Sequence, residues 1–177
     1  IAMLHYQFET IHPFLDGNGR VGRLMITLYL VENDLLSRPA LYLSDYLEKN
    51  RDAYYRHLTE IREKNEMIPW IKFFLKGVIV TAENAKNTFI KIIELQKEME
   101  TRLRSFGSRA EKINSIINAF YESPILSVKD IVAKTGIPDK TTRNLLELMR
   151  EDNLIKEMTG YERNRLFIFE KYFNLFK

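Results

Sequence analysis

Apolar residues recur at three- and four-residue spacing along most of this chain, and that period predicts helices. Residues 1–11 read as a first helix with Leu4, Phe8 and Ile11 on its buried face. A polar, glycine-rich turn follows. Helical spacing resumes at Arg20, with Val21, Leu24, Met25, Leu28 and Val31 in register, and runs to about Asn33. Asn33-Asp34 and Ser37-Arg38-Pro39 mark a connection. Ser44 is placed to cap a helix from Asp45 to about Asn50, and Asp52 to Lys64 continues helically. Pro69 suits the first turn of a long helix that reaches about Arg104. Positions 71, 75, 78, 82, 85, 89, 92, 96, 99 and 103 alternate steps of four and three, and all but Gln96 are apolar, a heptad pattern. The first half of this helix should pack on the helix after the glycine-rich turn. The second half, from about Lys86, is long for a small domain. It should bridge to a following domain or pair with a second copy, making a homodimer.

Ser105-Phe106-Gly107-Ser108 divides the chain into domains of 1–107 and 108–177, with Gly107 as helix C-cap and Ser108 as the next N-cap. Beyond it, Ile113, Ile116, Ile117 and Phe120 line one amphipathic helix that ends at Ser123-Pro124. Ser127 caps a short helix, Val128 to Lys134, with Ile131 and Val132 inside. Thr135-Gly136-Ile137-Pro138 makes a turn, and a further helix runs from about Asp139 to Asp152 with Leu145, Leu148 and Met149 buried. Leu154 to Met158 and Arg165 to Phe169 flank a polar turn at Gly160, the pattern of a β-hairpin. The aromatics Tyr161, Phe167, Phe169, Tyr172 and Phe173 read as core.

Composition narrows the function classes. A length of 177 residues allows one domain or two small ones. The absence of cysteine excludes disulfides and thiolate zinc sites. The longest apolar stretch, Leu24 to Val31, is far too short for a membrane span. The formal charge of +3 is small, and neither domain has the strong basic excess of a typical DNA-binding domain. With no signal peptide in view, the cytoplasm is the expected location.

The glycine-rich turn carries the chemistry. It reads His12-Pro13-Phe14-Leu15-Asp16-Gly17-Asn18-Gly19-Arg20-Val21-Gly22-Arg23. Pro13 disfavours helix at His12, so the first helix should end there. The turn then feeds a helix N-terminus, whose unpaired N–H groups and positive partial charge bind phosphate. Gly17 and Gly19 allow positive φ and close approach to an anion. Asn18 can donate its amide to a phosphate oxygen, and Arg20 and Arg23 share one helix face and suit two further phosphates. Asp16 is a hard oxygen ligand for Mg²⁺, or else a plain helix N-cap. His12 can accept a proton from a hydroxyl. Phe14 should point inward and pin the loop. Arginines at a helix N-terminus oppose its dipole, a cost that makes sense if an anion sits there.

The run closely resembles the signature of the Fic family, H-x-F-x-(D/E)-G-N-G-R-x-x-R, matched at every specified position. The flanks match as well, in Ala2, His5, Phe8 and Ile11 upstream and in Arg51, Tyr54, Tyr55 and Leu58 downstream. The resemblance covers roughly residues 1–105 and implies a protein adenylyltransferase. ATP would bind with Mg²⁺ on Asp16. His12 would deprotonate a Ser, Thr or Tyr hydroxyl of a target protein, or of the chain itself. Gly17, Asn18 and Gly19 would hold the α- and β-phosphates, Arg20 and Arg23 the outer ones, and Tyr55 and Leu58 would lie near the adenine. Family members also carry upstream helices, a target-docking β-hairpin and, in many, an inhibitory helix whose glutamate pairs with the second signature arginine, here Arg23. Those parts lie outside these 177 residues, so the chain reads as the C-terminal portion of a longer protein.

The second domain resembles the winged helix-turn-helix superfamily, which many bacterial Fic proteins carry after the catalytic core. The expected architecture is therefore mainly α: the C-terminal part of a Fic-type helical bundle, then a winged helix-turn-helix domain with a small β-hairpin. If that domain binds DNA, Lys140, Thr141, Arg143 and Asn144 would reach bases or phosphates, with Arg163, Asn164 and Arg165 at the wing tip. Asp139 and Glu147 on the same helix oppose this, and protein contact is the competing role. Three functions thus stand side by side: an AMP transferase; a DNA-binding regulator whose Fic portion senses nucleotide or is vestigial; and a Fic-type enzyme that removes AMP from a modified protein. An intact signature favours the first.

Overall fold

The computed structural model describes residues 1–37, 41–161 and 164–176; Arg38, Pro39 and Arg163, named above, lie outside them. Among the described residues the order is α1 (Ala2–Ile11), α2 (Asn18–Glu32), α3 (Leu43–Lys49), α4 (Arg51–Lys64) and α5 (Met67–Leu103). A 3₁₀ segment, Arg104–Arg109, leads to α6 (Ala110–Glu122), β1 (Ile125–Ser127), α7 (Val128–Thr135), α8 (Asp139–Glu151), β2 (Lys156–Glu157), β3 (Leu166–Ile168) and α9 (Glu170–Phe173). The chain divides into two compact units, Ile1–Asn87 and Thr88–Lys177, and the division falls inside α5. No helix among the described residues is long and apolar enough to cross a membrane.

In the first unit, Ile26 of α2, Leu43 and Leu47 of α3, Tyr54, Leu58 and Ile61 of α4, and Trp70 and Phe74 of α5 form the core. This corrects two expectations. The buried residues of α1 are Ala2 and His5, while Leu4 and Ile11 are exposed. The reason is polar. His5 reaches the carbonyl of Gly22 with Nδ1 at 3.2 Å and the Tyr54 hydroxyl with Nε2 at 3.1 Å. Likewise the first half of α5 buries Trp70 and Phe74 rather than the heptad positions, and Leu75 is exposed. Trp70 donates its indole N–H to the Ala2 carbonyl at 2.9 Å, and that bond sets which face of α5 turns inward. Ser44 caps nothing, since α3 starts one residue before it with Tyr42 as N-cap.

Two glycines permit close packing here. A Cβ on Gly77 of α5 would lie 2.6 Å from the Tyr46 ring of α3. One on Gly22 of α2 would lie 2.6 Å from Glu9 Oε1 and within 3.2 Å of the Phe8 and His5 rings of α1.

The second unit has a larger apolar core. Leu95, Met99 and Leu103 of α5 join Ile113, Ile116, Ile117 and Phe120 of α6, Ile131 of α7 and Leu145, Leu146 and Met149 of α8. The second half of α5 is thus built into the unit that follows. Gly107 has φ 54°, a conformation glycine tolerates, but Ser108 caps nothing, because Arg109 precedes α6 without a side-chain cap. Ser127 caps α7 in a complete capping box with Asp130, and Gly136 at φ 70° ends it. β2 and β3 pair antiparallel, as the hairpin pattern requires. An unforeseen strand, β1, pairs with β3 through Ile125–Ile168 and Ser127–Leu166, giving a sheet of order β1-β3-β2. Phe167 and Phe169 are buried as expected, whereas Tyr161 is exposed.

Candidate active site

α1 ends at Ile11, and His12 is its C-cap with φ 50° and ψ 58°, its N–H bonded to the Phe8 carbonyl at 3.0 Å. Pro13 ends the helix as expected. The left-handed backbone of His12 is costly for a residue that is not glycine, and it lifts the imidazole to an exposed position at the head of the loop.

The loop is held from within. Asn18 is 2% exposed; its Oδ1 accepts the Phe14 N–H at 2.9 Å and its Nδ2 donates to the Phe14 carbonyl at 2.6 Å. Both ends of this amide therefore staple the loop. Phe14 itself is half exposed and leans on Phe8 with ring centroids 6.3 Å apart, rather than entering the core as expected.

Gly17, at φ 83°, is the N-cap of α2, and no side chain caps that helix. Asp16 is therefore not an N-cap, which removes its plainest structural role. By helix geometry the N–H groups of the first turn, Asn18 to Arg20, lack intrahelical acceptors. Gly19 lies inside the helix and has no positive φ, contrary to expectation. Its value is steric, because a Cβ there would stand 3.1 Å from Arg23 Nη1.

Arg20 and Arg23 line one cleft of about 430 Å³ with Leu24, Thr27, Leu41, Tyr42, Leu43 and Ser44. Arg20 donates to Asp16 Oδ2 at 3.0 Å, in a pair open to solvent. Exposed pairs of this kind are worth well under about 1 kcal/mol, so both charges remain free to serve a ligand. Arg23 has no carboxylate within ion-pair distance among the described residues. Asp16 is a single exposed carboxylate, and no three-residue metal cluster occurs among the described residues. One carboxylate does fit Mg²⁺, which commonly takes one or two carboxylates plus substrate phosphates.

Behind the loop lies a polar network that the sequence reading left unassigned. A carbonyl can only accept, so His5 Nδ1 donates to Gly22 and Nε2 accepts from the Tyr54 hydroxyl. Burial, with some help from the Arg23 charge, lowers the affinity of His5 for a second proton and keeps the ring neutral. Its periodic position among apolar residues was the available signal. Tyr55, expected near adenine, is exposed with the Arg51 guanidinium 5.7 Å from its ring centroid, while Leu58 sits in the core.

The other predicted contacts lie on α8. Lys140 and Asn144 are exposed and Thr141 is half-buried. Arg143 is bound by Asp139, with Nε to Oδ1 at 2.6 Å and Nη2 to Oδ2 at 3.2 Å. Arg165 is held by Glu147, which also binds Arg150. Burial raises the Glu147 carboxyl, but the two arginines together outweigh it and leave it below the ordinary range.

Residues 1–30 match the model of the Fic/DOC family. Curated relatives carry the likeness further. The protein adenylyltransferase Fic of Drosophila erecta is 29% identical over 129 residues, 69% of this chain and 25% of that protein. Its counterpart from Drosophila willistoni is 35% identical over 129 residues, 69% of this chain and 24% of that protein. A probable protein adenylyltransferase of Aquifex aeolicus is 44% identical over 61 residues, 34% of this chain and 17% of that protein. The chain belongs to the Fic domain family. It spans about a quarter of the length of the Drosophila relatives it matches.

Proposed function

We propose that this chain carries the nucleotide-handling end of a protein adenylyltransferase. One observation carries the reading: a single internally stapled turn brings His12, Asp16, Arg20 and Arg23 to the uncapped N-terminus of α2. The phosphates of ATP occupy that terminus, with Gly17 and Gly19 leaving room for them. Arg20 exchanges Asp16 for a phosphate, and Arg23 takes another. Asp16 would hold Mg²⁺, which offsets phosphate charge when bound. Tyr55 lies on the adenine side, with Leu58 supporting it from the core. His12 takes the proton of a Ser, Thr or Tyr hydroxyl as that oxygen bonds the α-phosphorus and the bond to pyrophosphate breaks. The arginines stabilise the departing charge. The acceptor is another protein or a second copy of this one, in the cytoplasm, where ATP is available.

The test is transfer of label from α-labelled ATP to protein, with His12→Ala as control. Label on the wild type alone supports the reading. Equal label on both proteins removes His12 from the role of base.

We read residues 108–177 as a winged helix-turn-helix, supported by the order α6, β1, α7, α8, β2, β3 and by the turn at Gly136. Protein contact is the favoured use. The arginines that would face DNA, Arg143 and Arg165, each carry an acidic neighbour, Asp139 and Glu147, and those carboxylates oppose an approaching phosphate. Salt-sensitive binding of duplex DNA that Lys140→Ala with Arg143→Ala abolishes would overturn this preference.

A further inference from the structure

Between Lys86 and Glu100, α5 shows two different faces. Leu95 and Met99 belong to the apolar core shared with α6. The other face holds large apolar side chains in the open: Phe89 is 54% exposed, Ile90 44% and Ile93 52%. One exposed isoleucine means little, but three large apolar residues within two turns make a patch, and such a patch marks a contact surface. The patch ends in opposite charges. Lys86 lies seven residues before Ile93 and Glu100 seven after, close to two helical turns each way, so the three share one stripe. Both charged side chains are exposed, and neither forms an ion pair with a described residue.

The symmetry of this stripe about Ile93 decides what covers it. An apolar patch with a cation at one end and an anion at the other is complementary to its own reverse. An antiparallel second copy sets Lys86 of each chain beside Glu100 of the other, two attractions at once. A parallel copy would set lysine against lysine and glutamate against glutamate. In the antiparallel order the two Ile93 side chains meet at the twofold axis, an isologous contact. Ile90 of one copy then reaches the aliphatic stem of Lys97 of the other, and Phe89 falls between Gln96 and Glu100. Those last two residues edge a groove of about 600 Å³ between α5 and α6, lined below by Met99, Leu103 and Ile117, which leaves room for an aromatic ring.

We infer that α5 is the seam of a homodimer: two copies of this chain pair antiparallel through Phe89, Ile90 and Ile93, with Lys86 and Glu100 setting direction and register. The inference is independent of adenylyl transfer.

The chain has no cysteine, so one introduced thiol reports one position. On mild oxidation of the full chain, Ile93→Cys should crosslink to itself. Lys86→Cys alone and Glu100→Cys alone should not, because each thiol would lie roughly 21 Å along the helix from its own copy. The two proteins mixed should crosslink to each other. Sedimentation equilibrium of the wild type should show a dimer. Lys86→Glu should weaken it roughly tenfold, as two attractions become two repulsions, and adding Glu100→Lys should restore it. Ile93→Glu should sediment as a monomer. A wild type that stays monomeric at tens of micromolar would overturn the inference. So would a dimer that survives Ile93→Glu, which would place the contact on another face. Self-crosslinking of Lys86→Cys or Glu100→Cys as fast as that of the mixture would overturn the antiparallel order.

Discussion

The first unit uses glycine in a way that the second does not. In the first, Gly22 and Gly77 lie inside helices, and side chains of other helices occupy the space a Cβ would need. In the second, Gly136 has nothing within 4 Å of a Cβ and is needed for its φ of 70°. The polar interiors differ in the same sense. His5 and Asn18 are buried in the first unit, and Thr142 alone among the described residues in the second. The unit with the candidate site brings helices close and uses buried polar groups to hold a loop. The other follows ordinary apolar patterning with a capped helix and a glycine stop. Chemistry needs fixed positions, and fixed positions here come from close approach and internal hydrogen bonds rather than from a large core.

Removing the base should separate the units most. His12→Ala should lower label transfer by ~10²–10⁴-fold, the range of general-base catalysis, with nucleotide binding and the unfolding of residues 88–177 unchanged. Gly77→Ala comes next. In an open helix this change gains up to about 1 kcal/mol. Here the Tyr46 ring stands in the way, so overpacking should cost roughly 1–3 kcal/mol. Hydrogen exchange should localise the loss to the first unit, and an exchange pattern spread evenly over both would break the comparison. Ser127→Ala, by removing the capping box, should cost about 1 kcal/mol, read in the amides of α7.

The smallest effect should be a pH dependence confined to the first unit. Folding lowers the His5 pKa below 6.5, so between 6.5 and the folded value the unfolded chain binds a proton that the folded one refuses. Stability is fully present above 6.5 and is lost as pH falls through that window. Urea unfolding followed at pH 7 and pH 5.5 should show the loss, and His5→Gln should flatten it.

Much of this contrast was legible in the residues. The isoleucines of α6, the Ser127 cap, the Gly136 stop and the break at Pro13 all act locally, within a few residues of the positions that reveal them. The missed features depend on distant partners. Leu4 and Ile11 looked like the inner face of α1, but His5 and Ala2 took it because Gly22, Tyr54 and Trp70 wait for them 17, 49 and 68 residues away. Asn18 is a nearer case: its Oδ1 and its Nδ2 bond the Phe14 backbone four residues away, a staple that residue spacing alone does not announce. The heptad of α5 was real in the sequence, yet two large aromatics one step off it, Trp70 and Phe74, outweighed Ile71 and Leu75.

Trp70 has a further use, as an optical probe. It is the single tryptophan of the chain and is fully buried, with its indole bonded to the first turn of the helix that ends at His12. Its fluorescence on selective excitation of tryptophan therefore reports one half of the molecule. A red shift registers water reaching α1 and α5, and the nine tyrosines of the chain do not contaminate it. The protein thus carries an intrinsic fluorophore wired to the scaffold of its own candidate base, with no label to attach.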